Sequence, residues 1–414
     1  MNIIWLTNSM PPVVARTLGI KEHFKEGWLD TPAKWLIGSE HRITFLFPNR
    51  CEDIEGDEKD FSYKGICCCD EETFVDIIKK TNPDIVHIWG TEMLHTLAMV
   101  NACEKLDLLD KIVINIQGLV HICGKYHYFA DLPQNEIYGG TEKDYKLNTR
   151  VFQGRNDFLK RGKEEIITIK KAKNFIGRTD WDYACVKQVN PSANYYFCNE
   201  MLREEFYNYS WKLDDCEKFS IFVSQCSYPI KGFHYMLEAM SEVVKRFPKA
   251  HIYTTGINPL SFTGENEYNI RSYRKYIKKL MIKYNLEDKI TFLGTLQEKE
   301  MCQRFLKSHV FVSPSSIENS SNSIGEAMLL GVPVVASYVG GTSNILEDKK
   351  EGFLYQHNAP YMLSHYICTL FENDDIAEFF SKEAKKRARM THSMDINNAR
   401  MIEIYNEIVN KGEL

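Results

Sequence analysis

The chain lacks the features that mark several common classes of protein. None of its apolar stretches approaches the roughly 20 residues that a helix needs to cross a bilayer, so any membrane contact is expected to be peripheral. A formal net charge of −5 disfavours a general nucleic-acid binder. The first residues, MNIIWLTNSMPP, contain neither a basic segment nor a long apolar one, so no secretory signal is predicted. We therefore expect a cytoplasmic protein, with peripheral contact at the cytoplasmic membrane face as an option.

The 12 cysteines are dispersed through the chain instead of forming a disulfide framework, which favours reduced thiols. Residues 67–69 lie in the segment GICCCD, which we interpret as part of a strand, and no second ligand cluster accompanies them. His121, Cys123 and His127 are also close in sequence, but their spacing matches no common zinc pattern. Metal binding is the less favoured alternative at both places, and we predict no metal.

Short apolar runs alternate with amphipathic segments, which predicts an α/β protein with parallel sheets. The length of 414 residues exceeds the usual size of one domain. We predict a first domain at 1–205, a linker at the polar and aromatic segment 206–218, a second domain at 219–394 and a last helix at 395–414. Strands are predicted at 3–6, 43–47, 84–88, 112–116, 174–176, 221–223, 252–253, 290–293, 310–312 and 332–335. The core stripe predicted for the last helix is Ile396, Ala399, Ile402, Tyr405 and Val409.

Residues 313–345 place two glutamates, with seven residues between them, at a predicted strand-to-helix turn. The polar run 315–323 cannot be core, so a helix is predicted to begin near Ser323. Backbone N–H groups at such a turn, together with the positive end of the helix dipole, suit an anion such as a diphosphate. Glu318 before the helix and Glu326 within it could accept hydrogen bonds from hydroxyl groups at opposite ends of one ligand. A second interpretation is local, because Ser323 and Glu326 have the spacing of a capping box.

The string from Glu318 to Ala336, ENSSNSIGEAMLLGVPVVA, closely resembles the sugar-nucleotide signature of the retaining, glycogen-synthase-like glycosyltransferases of family four, which have the GT-B fold. The resemblance implies two Rossmann-like domains facing across a cleft, with a last helix that crosses back to the first domain. It implies that Glu318 contacts the donor sugar and Glu326 the ribose, and that transfer needs no metal or other cofactor. The amides expected at the diphosphate are those of Ser320, Ser321, Asn322 and Ser323.

The resemblance implies further residues of the donor site. Lys231 followed by Gly232 matches the basic residue and glycine with which the family neutralises the leaving diphosphate, although composition alone favours a solvated lysine. Gly340 and Gly341 match the family's glycine pair near the donor. Gly27, in the loop after the first strand, would let the backbone approach a phosphate, with a plain turn as the equal alternative.

The chain departs from the family at two donor-side positions. Cys226 stands where the family often has an arginine, so a second cationic contact with the diphosphate must come from elsewhere. Asn344 stands where relatives often have a glutamate, which would alter the preference for the donor.

The acceptor-side candidates lie in the first domain and are Gln117, Gly118, His121 and Arg178. Gln117 stands where the resemblance implies a histidine, and an amide cannot carry protons as an imidazole does. His121 is near enough in sequence to occupy similar space, although an ordinary loop histidine is the favoured interpretation. Arg178 would suit an acceptor phosphate or the donor diphosphate, with an ion pair as the even alternative.

Together these features predict a retaining glycosyltransferase that moves a sugar from a nucleoside diphosphate donor to a glycan or lipid-linked glycan acceptor. Bacterial surface-polysaccharide synthesis is the setting that the resemblance implies. The catalytic roles fall to Glu318, which orients the donor sugar, and Lys231, which stabilises the departing phosphate. Two alternatives remain: a non-hydrolysing sugar-nucleotide epimerase on the same fold, and a catalytically silent relative that binds glycans or partner proteins.

Overall fold

The computed structural model describes residues 1–20, 24–264 and 270–411. Its strands are β1 (Asn2–Leu6), β2 (Arg42–Pro48), β3 (Ile54–Asp57), β4 (Phe61–Ile66), β5 (Ile85–Trp89), β6 (Ile112–Asn115), β7 (Asn174–Gly177), β8 (Asn194–Phe197), β9 (Glu217–Val223), β10 (His251–Thr254), β11 (Ile290–Phe292), β12 (Ser308–Ser313), β13 (Val334–Tyr338) and β14 (Phe353–Gln356).

Helices connect most of these strands. They are α1 (Pro12–Thr17), α2 (Asp30–Ile37), α3 (Glu71–Thr81), α4 (Leu94–Lys105), α5 (Val120–Ile122), α6 (Gln134–Tyr138), α7 (Glu142–Leu147), α8 (Val151–Lys171), α9 (Asp180–Val189), α10 (Phe233–Arg246), α11 (Ser272–Lys283), α12 (Glu298–Leu306), α13 (Asn322–Leu330), α14 (Thr342–Ile345), α15 (Pro360–Glu372), α16 (Asp374–Thr391) and α17 (Met394–Lys411). Single turns of tighter helix lie at Phe24–Leu29, Glu204–Tyr207 and Pro229–Lys231.

The strands form two sheets, one in each half of the chain. The first has the order β3-β4-β2-β1-β5-β6-β7-β8, and the pairings are parallel except for that of β3 with β4. The second has the order β11-β10-β9-β12-β13-β14 and is parallel throughout. Strands β5 and β6 are buried along their whole length, which accounts for their nearly continuous apolar sequences. The predicted fold class, α/β with a parallel sheet in each half, is confirmed.

The chain divides into two compact units. The first comprises Met1–His121, Lys160–Arg203 and the chain from His392, and the second comprises Ile122–Leu159 and Glu204–Thr391. The sequence prediction had placed residues 122–159 in the first domain. The structure attaches this segment to the second unit, where Ala130 O lies 2.8 Å from His234 Nε2 and Asp144 Oδ2 accepts hydrogen bonds from Ser272 N and Oγ, both at 2.8 Å. Partners more than 100 residues away leave no local sequence signal for this assignment.

Residues 206–218, predicted as a linker, are packed onto the second unit. Phe206 and Trp211 are buried, and Phe206 makes an edge-to-face contact with Phe305. Trp211 Nε1 donates to Ser308 O at 2.8 Å, and its backbone N–H donates to Leu330 O at 2.8 Å. The segment is irregular in backbone, but Phe206 and Trp211 belong to the core, which explains why aromatic residues occur among its polar ones.

The last helix, α17, buries one face in the core of the first unit. Its inward residues are Met401, Ile404, Tyr405 and Ile408, which pack with the sheet residues Ile3, Trp5 and Phe45. Of the predicted stripe, Tyr405 is buried and Ile402 and Val409 pack against the core, but its start was wrong, because Ile396 is 63% exposed while Asn397 and Asn398 are buried. Spacings of three and four residues from Met401 define the true face.

Tyr405 ties α17 to the sheet by hydrogen bonds. Its hydroxyl group accepts from Trp5 Nε1 at 3.1 Å and lies 2.5 Å from His87 Nδ1. Burial lowers the pKa of His87 to about 3, so its ring is neutral. One phenol therefore satisfies polar groups on two adjacent strands, β1 and β5.

Residues 67–69 do not form a strand, which corrects the sequence prediction. Strand β4 ends at Ile66, and Cys67 and Cys68 are exposed in the loop that follows. Cys68 Sγ lies 3.0 Å from Asp70 Oδ2, and Asp70 caps α3 by accepting from Thr73 N. The sequence misled because three consecutive cysteines resemble an apolar run, whereas the alternation that marks β4 ends before them.

The basic helix α8 is partly neutralised by neighbouring groups. Lys171 pairs with Glu104 at 2.5 Å, Lys173 just beyond the helix pairs with Asp110 at 2.6 Å, and Arg161 donates to the carbonyl group of Glu92 at 3.3 Å. Within the described part of the chain, no helix has both the length and the apolar character needed to cross a membrane.

We predict that Tyr405→Phe lowers the free energy of unfolding by about 1–3 kcal/mol, because it leaves two buried groups without their partner while keeping the ring in the core. Urea denaturation measures the change as a lower midpoint with an unchanged slope. Tyr361→Phe is the control, since Tyr361 is 68% exposed. Equal stability of the two variants would contradict the role given to the Tyr405 hydroxyl group.

Candidate functional site

Three loops of the second unit meet at the carboxyl ends of the adjacent strands β9, β12 and β13. Ser316 N donates to Ile230 O at 2.7 Å, which joins the loop after β12 to the loop after β9. Gly341 N donates to Glu318 O at 3.0 Å, and Ser337 Oγ donates to Ser315 O at 2.6 Å, which joins the loop after β12 to β13 and its loop. In parallel sheets, the carboxyl ends of the strands are where ligands bind.

Two glycines allow these loops to come so close. Gly232 has a φ of +67°, and a Cβ placed on it would lie 1.8 Å from Pro314 O. Gly340 has a φ of +49°, and its Cβ would lie 2.0 Å from Glu318 O. Both the left-handed backbone and the lack of space exclude larger residues. Gly232 and Gly340, both predicted as donor-site residues, therefore permit the close contact between the backbones of these loops.

Lys231 and Glu318 form an ion pair where these loops meet. Lys231 Nζ lies 2.6 Å from Glu318 Oε1, and the same oxygen accepts from Ser315 Oγ at 2.7 Å. The side chains are 24% and 12% exposed, so the pair is largely withdrawn from water but still accessible. The structure thus brings together the two residues to which the sequence assigned the catalytic roles.

The electrostatics of the pair keep Lys231 charged. Burial by itself would lower the pKa of the lysine, but the Glu318 carboxylate, with smaller contributions from Tyr228 and Cys123, outweighs burial and raises that pKa. Burial raises the pKa of Tyr228, and the Lys231 ammonium group opposes the rise. Tyr228 was not predicted as a site residue, although it lies three positions before Lys231. Lys231 is therefore a cation over the whole working pH range.

Helix α13 begins beside the ion pair, with Ser321 at its N-cap. No side-chain hydrogen bond caps the helix, and Ser323 is its second residue. The capping-box interpretation of Ser323 and Glu326 therefore does not hold. Glu326 is the fifth helical residue and only 4% exposed, beyond the turn where a cap could use it.

The residues predicted to offer amides to a diphosphate occupy the start of α13. Ser320, Ser321, Asn322 and Ser323 are half-buried, and the N–H groups of the first helical turn have no intrahelical acceptor four residues back.

Asn344, the departure from the family pattern, lies in α14, where its carbonyl group accepts from Arg387 Nη2 at 2.8 Å.

Position 226, in the loop after β9, carries no charge because its residue is a cysteine. Its Sγ donates to Thr255 O at 3.0 Å, and a Cβ on Gly256 would lie 2.9 Å from that sulfur. Burial raises the pKa of Cys226 to about 11, so the group is a neutral thiol. The arginine that the family often has here is absent.

Arg274 is a cation near this position that the sequence prediction missed. It is the third residue of α11, the helix after β10, and its neighbour Tyr273 places Oη 3.0 Å from His234 Nδ1 at the start of α10. Burial lowers the pKa of Arg274, Cys226 opposes this effect and Arg271 adds to it. Among residues 1–20, 24–264 and 270–411, Arg274 makes no ion pair. No local motif marks this residue, since only the fold brings α11 beside the loop after β9.

In the first unit, Gln117 and Arg178 converge on Glu200. Gln117 Nε2 donates to Glu200 Oε1 at 2.5 Å and to Asn115 Oδ1 at 2.8 Å. Arg178 forms an ion pair with Glu200 and donates from Nη2 to Ile116 O at 2.9 Å. Arg178 is 3% exposed, so a phosphate could reach the guanidinium group only by displacing Glu200. Glu200 follows β8 in a segment without a motif and was missed.

His121 also has a carboxylate partner that the sequence did not reveal. Its Nδ1 lies 2.5 Å from Glu165 Oε2. Glu165 lies on α8, on the buried face that also carries Gly162 and Thr168. A glutamate on a buried helical stripe was the available signal for this partner.

The remaining predicted glycines lie in different settings. Gly118 O accepts from Thr91 Oγ1 at 3.0 Å at the end of β6. Gly27 lies in the helical turn Phe24–Leu29, not in an open loop, and a Cβ there would approach Arg203 Cδ at 3.2 Å. Among the described residues, no group of three or more His, Cys, Asp or Glu side chains could hold a metal ion.

Comparison with known proteins identifies the second half of the chain. Residues 204–387 match the family model described as "Glycosyl transferases group 1", so the chain carries a glycosyltransferase domain of this group. That match contains Lys231, Glu318, Glu326 and the glycine pair at 340–341. Spore coat protein SA of Bacillus subtilis is 24% identical over 191 residues, which are 46% of this chain and 48% of that protein. The chain thus matches about half the length of this relative.

Solved structures show the fold over nearly the whole chain. Sucrose-phosphate synthase of Thermosynechococcus elongatus superposes with a TM-score of 0.72 at 14% identity, covering 99% of this chain and 100% of that one. HepE of Anabaena, solved with UDP-glucose, superposes with a TM-score of 0.65 at 14% identity, covering 98% and 100%. The fold is therefore GT-B, built from two units with parallel sheets.

We predict that Gly232→Ala destabilises the second unit more than backbone strain alone would. An alanine at positive φ costs about 1–2 kcal/mol, and displacing the Pro314 carbonyl group adds about 1–3 kcal/mol. Gly19→Ala is the matched control, because Gly19 has a φ of +64° and a Cβ there meets no described atom within 4 Å. Denaturant unfolding compares the two variants, and equal losses would contradict the steric argument.

Proposed function

We propose that the protein is a retaining, metal-independent glycosyltransferase that moves a sugar from a nucleoside diphosphate donor to a glycan or lipid-linked glycan. The proposal is carried by one observation: Lys231, Glu318, two close-contact glycines and the start of α13 meet at adjacent strand ends inside the glycosyltransferase domain. Surface-polysaccharide synthesis, in the cytoplasm or at the cytoplasmic membrane face, is the setting we propose.

The Lys231–Glu318 pair suits contact with both halves of a sugar nucleotide. A lysine ammonium group has three N–H donors, and one of them serves Glu318. The remaining donors can bind the diphosphate while the pair stays intact. The contacts of Glu318 with Lys231 and Ser315 both use Oε1, so the carboxylate keeps acceptor capacity for a sugar hydroxyl group.

Charge develops on the leaving diphosphate as the bond to the sugar breaks. Lys231 is already in place as a cation, and the amides at Ser321 to Ser323 add the positive end of the α13 dipole. Groups held in position before the reaction stabilise a developing charge without reorganising. We assign Lys231 and these amides to the leaving group, Glu318 to the donor sugar and Glu326 to the ribose.

Arg274 supplies the second cation in this proposal. A diphosphate carries at least two negative charges, and the charge of Lys231 is partly compensated by Glu318. Arg274 is half-buried and lies at the carboxyl edge of β10, beside the loop that contains Cys226. A guanidinium group there can act for the arginine that position 226 lacks.

We place the acceptor on the first unit, at the carboxyl ends of β6 and β7. Gln117, Gly118 and His121 follow β6, and Arg178 follows β7 behind its ion pair with Glu200. This assignment is supported by the position of these residues at the strand ends. Its polar groups suit hydroxyl-rich ligands, since amide, imidazole and carbonyl groups can each exchange hydrogen bonds with sugar hydroxyls.

We predict that one sugar nucleotide of a panel of UDP, GDP, ADP and dTDP sugars raises the thermal stability of the protein. A ligand at a hundred times its dissociation constant adds about 2.7 kcal/mol. Lys231→Met, Glu326→Gln and Arg274→Gln should each weaken binding by about tenfold or more, equivalent to about 1.4 kcal/mol. Lys245→Met is the control, because Lys245 is 66% exposed and pairs with Glu242 on the surface.

The same samples test the reaction. Incubation of the stabilising donor with glycan acceptors should release nucleoside diphosphate and give a product whose new linkage keeps the anomeric configuration of the donor. An inverted linkage would overturn the retaining mechanism. Failure of every sugar nucleotide to stabilise the wild-type protein would overturn the donor site, and conversion of the donor sugar without an acceptor would favour an epimerase.

A further inference from the structure

We propose that Glu165 is a positioning residue that holds the His121 ring with Nδ1 protonated, so that Nε2 is the nitrogen that exchanges protons and hydrogen bonds with a carbohydrate hydroxyl group. The identity of that ligand rests on the function proposed above. The positioning itself rests on the contacts within the first unit.

Glu165 is a buried carboxylate whose recorded contacts centre on His121. Its side chain has no exposed surface, whereas that of His121 is 11% exposed. Oε2 accepts from the His121 backbone N–H group at 2.8 Å and lies 2.5 Å from the ring Nδ1. The other oxygen, Oε1, lies 2.6 Å from Thr91 Oγ1. One carboxylate thus holds both the backbone and the ring of the same histidine.

The contacts decide which ring nitrogen carries the hydrogen. Thr91 Oγ1 also lies 3.0 Å from Gly118 O, so its single hydrogen serves either that carbonyl group or Glu165 Oε1. The contact with Thr91 uses Oε1, so Oε2 is the oxygen that faces His121. Oε2 already accepts from the His121 backbone N–H group, and as an acceptor it pairs with the ring through a donating Nδ1.

Helix α8 is shaped to hold the histidine in this place. A Cβ on Gly162, one turn before Glu165, would lie 2.7 Å from His121 Cα and 2.9 Å from its Cβ. Only glycine therefore lets the helix approach the histidine closely enough for Glu165 to reach the ring. Gly162 and Glu165, three positions apart on one face of α8, thus both support the contact with His121.

The loop places this assembly at the carboxyl end of β6. Gly118, whose carbonyl group is bound by Thr91, and His121 both belong to the segment that follows Asn115. With Nδ1 committed to Glu165, Nε2 is the ring position left for a ligand. It accepts a hydrogen bond when the ring is neutral and donates one when the ring is protonated. Gln117, with an amide side chain, cannot perform this exchange.

The direct test is the tautomer of His121, observed by nitrogen-15 NMR of protein labelled at histidine, with the resonance assigned from His121→Gln. The wild-type ring should be protonated at Nδ1 when neutral. Glu165→Met keeps the size of the side chain but removes the acceptor, so the ring should shift toward protonation at Nε2. Glu165→Gln keeps an acceptor oxygen and should restore the wild-type tautomer.

Activity provides the second readout. His121→Gln should lower acceptor-dependent transfer by about 10²- to 10⁴-fold, the usual range for a proton-exchanging side chain, and Glu165→Met by at least about tenfold. Glu164→Met is the matched control on the same helix. Sugar-nucleotide binding, which uses the second unit, should remain unchanged in all these variants, and a cooperative urea transition shows that each variant is folded.

The outcomes separate this inference from the proposed function. An unchanged His121 tautomer in folded Glu165→Met would overturn the positioning role, whatever the activity. Normal transfer by His121→Gln, with donor binding intact, would overturn the role of Nε2 and leave the glycosyltransferase function standing. Absence of any sugar-nucleotide binding by the wild-type protein would overturn the proposed function, while the tautomer measurement would still decide the positioning.

Discussion

The contact between Lys231 and Glu318 is the interaction on which the loops at the strand ends of the second unit depend. It joins the loop after β9 to the loop after β12, and each charged group satisfies the other in a setting with little water. Removing one partner would leave the other charge partly buried and unpaired, which is costly. Gly232 and Gly340 serve the same contact, because the carbonyl groups of Pro314 and Glu318 occupy the space that their side chains would need.

The two ion pairs at the strand ends differ in what they leave available. Arg178 and Glu200 are almost completely buried, and their neighbours Ile116 and Gln117 take up further hydrogen-bonding capacity. Lys231 and Glu318 are partly exposed and retain donors and acceptors. The first pair therefore fixes the loops around it, whereas the second can bind a ligand without being broken. Burial, more than residue type, distinguishes these two ion pairs.

The sequence predicted most of the fold because apolar runs of strand length indicate burial directly, as in β5 and β6. It also singled out Lys231, Gly232, Glu318 and Gly340, since these belong to contiguous motifs in the three loops that the structure brings together. Strands β3, β4 and β8 were missed because residues at their exposed or half-buried positions break the apolar runs. Glu165 and Glu200 were missed because a carboxylate reveals its role only through a partner that is distant in sequence.

Cys226 and Arg274 are a second case in which residues distant in sequence lie close together. A diphosphate requires positive charge at a place in space, and any element that reaches that place can supply it. Strands β9 and β10 are neighbours in a parallel sheet, so the loop after β9 and the helix after β10 emerge at the same edge. An arginine on α11 can therefore supply the positive charge that position 226 lacks, without any change to the sheet. The positive charge can thus be supplied by a residue on another element. A comparison made position by position would show only that the charge is missing at position 226.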